Sequence, residues 1–181
     1  LNGYRQSGSR VNPDEADDVM QKIKDMAQRQ GLSYDGTFAN PDIYTKSNKF
    51  GAKIDWNIND FNKFSFRWSY VDAKQLNVVS SASSLNDDHY YFPFTSKTNS
   101  FTAELQSRLS PVVSNEARVS YVRVRDKRNV SSAFPMISLQ VTGGSVNIGN
   151  ERSSMANSLD QDIYTIEDNL TWYKGNHTYT F

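Results

Sequence analysis

The chain has 181 residues, with 20 basic and 20 acidic side chains and no cysteine. Its length suits one domain or a piece of a larger protein. Its charge balance argues against a nucleic-acid partner, which favours a clustered basic excess, and the missing thiols exclude a disulfide framework and any thiolate metal site.

The first residue is Leu1, no signal peptide precedes the pattern, and the closing "GNHTYTF" stops inside an alternating run. Both ends are therefore expected to be cuts from a longer chain. No stretch approaches the ~18 consecutive apolar residues of a membrane-crossing helix, but a membrane β-barrel needs apolar residues only at every second position and stays open.

Residues 1–45 read as a loop region carrying one helix, about residues 13–30, in "NPDEADDVMQKIKDMAQRQG". Asn12 is the N-cap, Pro13 the first helical residue, Asp14 and Glu15 sit at the positive end, and Gly31 terminates it. Val19, Met20, Ile23, Met26 and Ala27 form one apolar stripe, to be packed on neighbouring loops or a barrel rim.

Residues 46–181 read as about six strands in three hairpins. In "FGAKIDWNINDFNKFSFRWSY", Phe50, Ala52, Ile54 and Trp56 share a face opposite Lys49, Gly51, Lys53 and Asp55. After the polar "NIND", Phe64, Phe66, Trp68 and Tyr70 share a face opposite Ser65, Arg67 and Ser69, so a tight hairpin is expected. The second unit sets Phe101, Ala103, Leu105 and Leu109 against Thr102, Glu104, Gln106 and Arg108, turns at "SPVVSN", and returns with Ala117, Val119 and Tyr121. Val122 and Val124 then switch parity, so a bulge or the end of the apolar band is expected near Arg123. The third carries Tyr164, Ile166, Leu170 and Trp172, turns at "YKGN", and returns with His177, Tyr179 and Phe181. Asp168 falls on its apolar face and must pair with a neighbour, lie near an interface, or signal a different register.

The runs span roughly 9 to 12 residues, close to the ~9 to 11 that cross a tilted bilayer and longer than the ~5 to 6 of an ordinary strand. Short turns alternate with long polar connections at residues 74–97 and 127–159, an asymmetry of outer-membrane barrels. Trp56, Phe64, Trp172 and Tyr173 lie beside short turns, as in an aromatic girdle at a membrane interface. Among a soluble sandwich core, a lipocalin-like interior and lipid, lipid is the preferred environment for the apolar face. The opposite face, with Lys53, Asp55, Arg67, Glu104, Arg108, Glu116 and Arg118, would line a wet lumen, meet a plug, or pair with itself across strands.

No GxSxG, HExxH, phosphate-cradling glycine loop or Cys/His cluster is present, so no enzyme activity, cofactor or metal is expected. His89 and His177 read as structural or solvated. The loop stretch "NDDHYYFPF" offers Asp87, Asp88, Tyr90, Tyr91, Phe92 and Phe94 as a ligand-binding surface, aromatics giving rigid contact area and carboxylates polar selectivity. Packing of the same aromatics against the loop helix, or their return into a strand, is the preferred alternative. The stretch lacks the ligand spacing and glycine of a calcium loop, and "LQVTGGSVNIG" reads as a small hairpin about Gly143 and Gly144.

"KFGAKIDWNINDFNKFSFRWSYVDA", "NSFTAELQSRLSPVVSNEARVSYVRVRDKR" and "ANSLDQDIYTIEDNLTWYKGNHTYTF" resemble the barrel of Bacteroidetes TonB-dependent receptors of the Oar-like type, well over residues 46–181 and more loosely before them. The resemblance implies part of a large antiparallel outer-membrane β-barrel of about 22 strands. It implies uptake of a large extracellular ligand, outer-membrane lipid as surroundings, and coupling to the TonB complex through a plug domain with no counterpart in this sequence. A passive porin or structural barrel, and a soluble β-sandwich binding module, are the alternatives.

Overall fold

The computed structural model describes residues 9–79, 81–154 and 157–181. In chain order its elements are α1 (Pro13–Arg29), β1 (Thr45–Asn59), β2 (Asn62–Asn77), β3 (Ser84–Asn86), β4 (Phe92–Ser110), β5 (Val113–Arg128), β6 (Ile137–Val141), β7 (Gly144–Ile148), β8 (Ser158–Lys174) and β9 (His177–Thr180). The chain divides into two compact units. The loop unit takes residues up to 46, 74–95 and 127–158; the barrel unit takes 47–73, 96–126 and 159–181.

In the loop unit, α1 begins where the Asn12 side chain accepts from the backbone N–H groups of Asp14 (3.0 Å) and Glu15 (3.3 Å), which satisfies two of the orphan donors at a helix start. It ends at Gln30, followed by Gly31 at φ 73°. Ala16, Met20, Ile23 and Ala27 are its buried face. They form one core with Val11, Tyr34, Leu85, Val146 and Ile148, so the expected stripe packs on the loop's own sheet. Met26 departs from the expected stripe and is 51% exposed, because it lies about 100° round the helix from Ala27, while Ala16 takes a place on the buried side.

That sheet has three strands in the order β3-β7-β6. β6 and β7 form the hairpin expected about Gly143 and Gly144, antiparallel with Leu139 opposite Val146. Gly143 (φ 87°) and Gly144 (φ 153°) take backbone angles that side chains oppose, and a Cβ on either would collide with the carbonyl of Arg10 or Ser83. β3 pairs in parallel with β7, Leu85 beside Val146. Its three residues carry no periodic signal of their own, and only the long-range pairing makes them a strand.

In the barrel unit, the long strands lie in the order β1-β2-β4-β5-β8-β9, an antiparallel meander. The turns are tighter than drawn from the sequence. Asp60 and Phe61 alone separate β1 from β2, with the Asn59 side-chain oxygen Oδ1 accepting from Phe61 N and Asn62 N, each at 2.9 Å. Pro111 and Val112 separate β4 from β5, and Gly175 and Asn176 separate β8 from β9. The full β strands β1, β2, β4, β5 and β8 run 15, 16, 19, 16 and 17 residues, longer than the alternating runs. They continue through residues that are polar on both faces, where alternation leaves no trace.

One face carries an aromatic row across four strands: Phe66 to Phe101 (centroids 6.5 Å), Phe101 to Tyr121 (6.2 Å) and Tyr121 to Tyr164 (4.8 Å). Phe50 stacks on Tyr70 at 6.4 Å and Trp172 lies 5.5 Å from Tyr179. Tyr164 is 73% and Ile166 81% exposed, so among the described residues no core covers this part of the face. Tyr173 stands opposite Thr178, one step from the Trp172–Tyr179 pair, and alternation puts it on the other face, outside the expected girdle.

Candidate functional site

The stretch 86–94 is a knot of the loop unit. Asp88 accepts from Thr37 N (2.8 Å) and Thr37 Oγ1 (3.0 Å) and donates its own N–H to Thr37 O (2.8 Å). Asp87 is fully buried. Its carboxyl faces the Tyr34 hydroxyl and accepts from Gly149 N (3.2 Å) and Tyr90 N (3.0 Å), while its N–H donates to Asn147 O at 3.0 Å. Burial pushes the Asp87 carboxyl up to about 7, against the pull of the Gly149 N–H. His89 holds Asp35 at 3.2 Å and meets the Tyr34 ring edge-on at 5.1 Å.

The aromatics divide. Tyr91 is buried, its hydroxyl raised to about 12 mainly by that burial, and its carbonyl accepts from Ser131 Oγ at 2.7 Å. Phe92 is buried under the Arg128 guanidinium, 5.3 Å from the ring centroid. Phe92 and Phe94 both belong to β4. Of the six sequence-derived site residues, Asp87, Tyr91 and Phe92 are inside the unit, and Asp88, Tyr90 and Phe94 are half-buried and reach its surface. Their partners Tyr34, Thr37, Asn147 and Gly149 come from distant segments and carried no signal in the sequence.

In the barrel unit, Arg118 gathers three carboxylates: Glu104 (2.9 Å), Glu116 (2.7 Å) and Glu167 (3.2 Å). Lys53 pairs with Asp55 at 2.8 Å, and Arg108 lies over the Phe61 ring at 5.1 Å. These polar side chains have the parity opposite to the aromatic row, as the strand alternation requires. Toward the turns, a hollow of about 700 Å³ is lined by Asn57, Asn59, Gln106, Arg108 and Asn169 among others, a surface suited to water and hydrogen-bonding groups.

The aromatic face is bounded by polar residues at both ends. Toward the turns Asn115 Nδ2 donates to Asp168 at 2.8 Å, which gives the misplaced carboxylate its partner. Toward the loops Asp162 accepts from Tyr121 Oη and from Arg125, each at 2.7 Å. Tyr121 and Arg125 thus share a face, β5 keeps its parity through Arg123, and the apolar band ends there without a bulge. The Arg125–Asp162 pair was invisible in the sequence because it joins positions on neighbouring strands.

An exposed apolar band closed above and below by paired polar groups is the surface a bilayer requires of a barrel wall. Neither a curated protein nor a solved structure matches the chain. The profile of the outer membrane beta barrel domain family matches residues 2–181. The chain therefore belongs to the outer membrane beta barrel domain family, and it is a protein of the outer membrane.

Proposed function

We propose that this chain is part of a TonB-dependent outer-membrane transporter, of the Bacteroidetes Oar-like type, that binds and imports a large extracellular ligand and performs no catalysis. The observation that carries this reading is the loop unit. The leading segment and the long connections together form a helix and a three-stranded sheet around one core, and ordered structure on loops serves recognition more directly than passive permeation. The resemblance of the three hairpins in sequence supports the same reading.

On this reading Asp88, Tyr90 and Phe94 present the ligand-facing surface, and the buried Asp87, Tyr91 and Phe92 hold its shape. Coupling to the TonB complex runs through a plug domain. The test is conductance of the full-length protein in planar bilayers, alongside binding to the purified periplasmic domain of TonB. A closed barrel that binds the TonB domain is expected. Steady open conductance without TonB binding would overturn the proposal in favour of a passive porin or structural barrel.

A further inference from the structure

Beyond the aromatic row, toward the loops, the lipid-facing wall carries cations. Phe101 meets Tyr121 and Glu104 meets Arg118, which fixes the register of the neighbouring strands β4 and β5. In that register Asn99 stands opposite Arg123, and Lys97 opposite Arg125. Alternation keeps Lys97 and Asn99 on the face of Phe101, and Arg123 and Arg125 on the face of Tyr121. The Asp162 carboxylate holds Tyr121 and Arg125 together on that face. Val122 and Val124 take the other face, so the cations stand on the lipid side although the wet side is one residue away.

Depth and pairing single out part of this strip. From Leu109 to Phe101 the apolar face runs about 27 Å along β4, or about 20 Å of depth at the usual strand tilt. Asn99 and Lys97 therefore reach the head-group level. Asp160 (3.6 Å) and Asp162 (2.7 Å) hold Arg125, and Asp72 lies 3.8 Å from the exposed Lys97. Arg123 is exposed and, among the described residues, forms no ion pair. The carboxylates thus flank the strip on β2 and β8, while its middle, on β4 and β5, offers cations and one amide. Lys97 and Arg123 are diagonal neighbours, about 7–8 Å apart at the backbone, with Asn99 beside them.

We propose that Lys97, Asn99 and Arg123 form a clamp for a phosphate group of an outer-leaflet lipid head group. The guanidinium of Arg123 matches two phosphate oxygens at once, the ammonium of Lys97 adds a point charge from the other side, and the Asn99 amide donates between them. The occupant follows from the surface to which the clamp belongs. It continues the aromatic band that faces lipid, so at this height it meets head groups, and the flanking carboxylates confine anion binding to the middle of the strip. Short turns are periplasmic and long loops extracellular in such barrels, which assigns the clamp to the outer leaflet. The inference goes beyond the transport reading and holds whatever the barrel carries across.

The experiment is native mass spectrometry of the full-length protein in detergent micelles, titrated with diphosphorylated lipid A and, separately, with the same lipid stripped of its phosphates. The expected result is a saturable adduct with the phosphorylated lipid and little with the stripped one. Arg123→Gln and Lys97→Gln should each weaken that adduct about tenfold, and Arg123→Lys should weaken it less than Arg123→Gln. Lys49→Gln, on the opposite face of β1, should leave it unchanged. Both clamp side chains are exposed, and the strand signal in circular dichroism reports that each variant is folded. Should one variant fail that check, the other must still show the loss. No adduct, equal binding of the stripped lipid, or native affinity in a folded Arg123→Gln or Lys97→Gln variant would overturn the proposal. Displacement of the lipid by millimolar inorganic phosphate would also overturn it, because the clamp would then serve a free anion.

Discussion

Asn12 and Asp87 show how single polar groups hold the loop unit together by opposite means. Asn12 works at the surface, closing the first turn of α1 on Asp14 N and Glu15 N. Asn12→Ala should destabilise the helix by about 1 kcal/mol, read as faster amide exchange through Met20 and Ile23 with little change in the barrel strands. Asp87 works from inside, and its carboxyl stands at about 7 in the fold because burial disfavours its charge. Its stabilising contribution is complete below the ordinary carboxylate range near 4 and is lost as the pH rises through about 7. Loop-unit stability should therefore fall between about pH 4 and pH 7, to an extent that Asp87→Asn removes; the measurement is amide exchange across that range. A variant with the same pH profile as the native protein would contradict the assignment.

Among the elements, the β6–β7 hairpin depends most on backbone shape. Gly143 combines a positive φ with close approach of the Arg10 carbonyl. Gly143→Ala should destabilise the loop unit by about 1–3 kcal/mol, visible as lost protection at Val146, with the barrel strands unaffected. Local signals made this hairpin legible, as they did α1, whose cap, proline and glycine mark both ends. The long strands were legible in their apolar middles and not at their ends, because stretches such as Thr45–Lys49 and Thr95–Ser100 are polar on both faces. β3 was not legible at all, and neither were the clasps Tyr34–Asp87 and Thr37–Asp88. Each joins segments far apart in sequence, and no pattern within either segment records the other. The aromatic stretch 86–94 was noticed, but its division into buried and surface members depends on those clasps.

At the scale of the whole molecule, the two units solve different solvent problems. The loop unit buries its apolar side chains in a core of its own. The barrel unit leaves Phe50, Ile54, Trp56, Val119, Tyr164 and Ile166 uncovered on one face, and gathers Arg118, Glu104, Glu116 and Glu167 on the other. That inversion is what an outer-membrane barrel wall needs, and it was readable in the sequence because alternation is local. The most direct test uses the absence of native cysteine in this chain. Single cysteines at Val119, Ser120, Thr165 and Ile166 would carry spin labels in the membrane-inserted protein, with accessibility to oxygen and to a water-soluble nickel chelate compared. Labels at 119 and 166 should favour oxygen, as lipid-facing sites do, and labels at 120 and 165 should favour the chelate. Equal chelate accessibility at all four positions would contradict the lipid-facing assignment of the aromatic face.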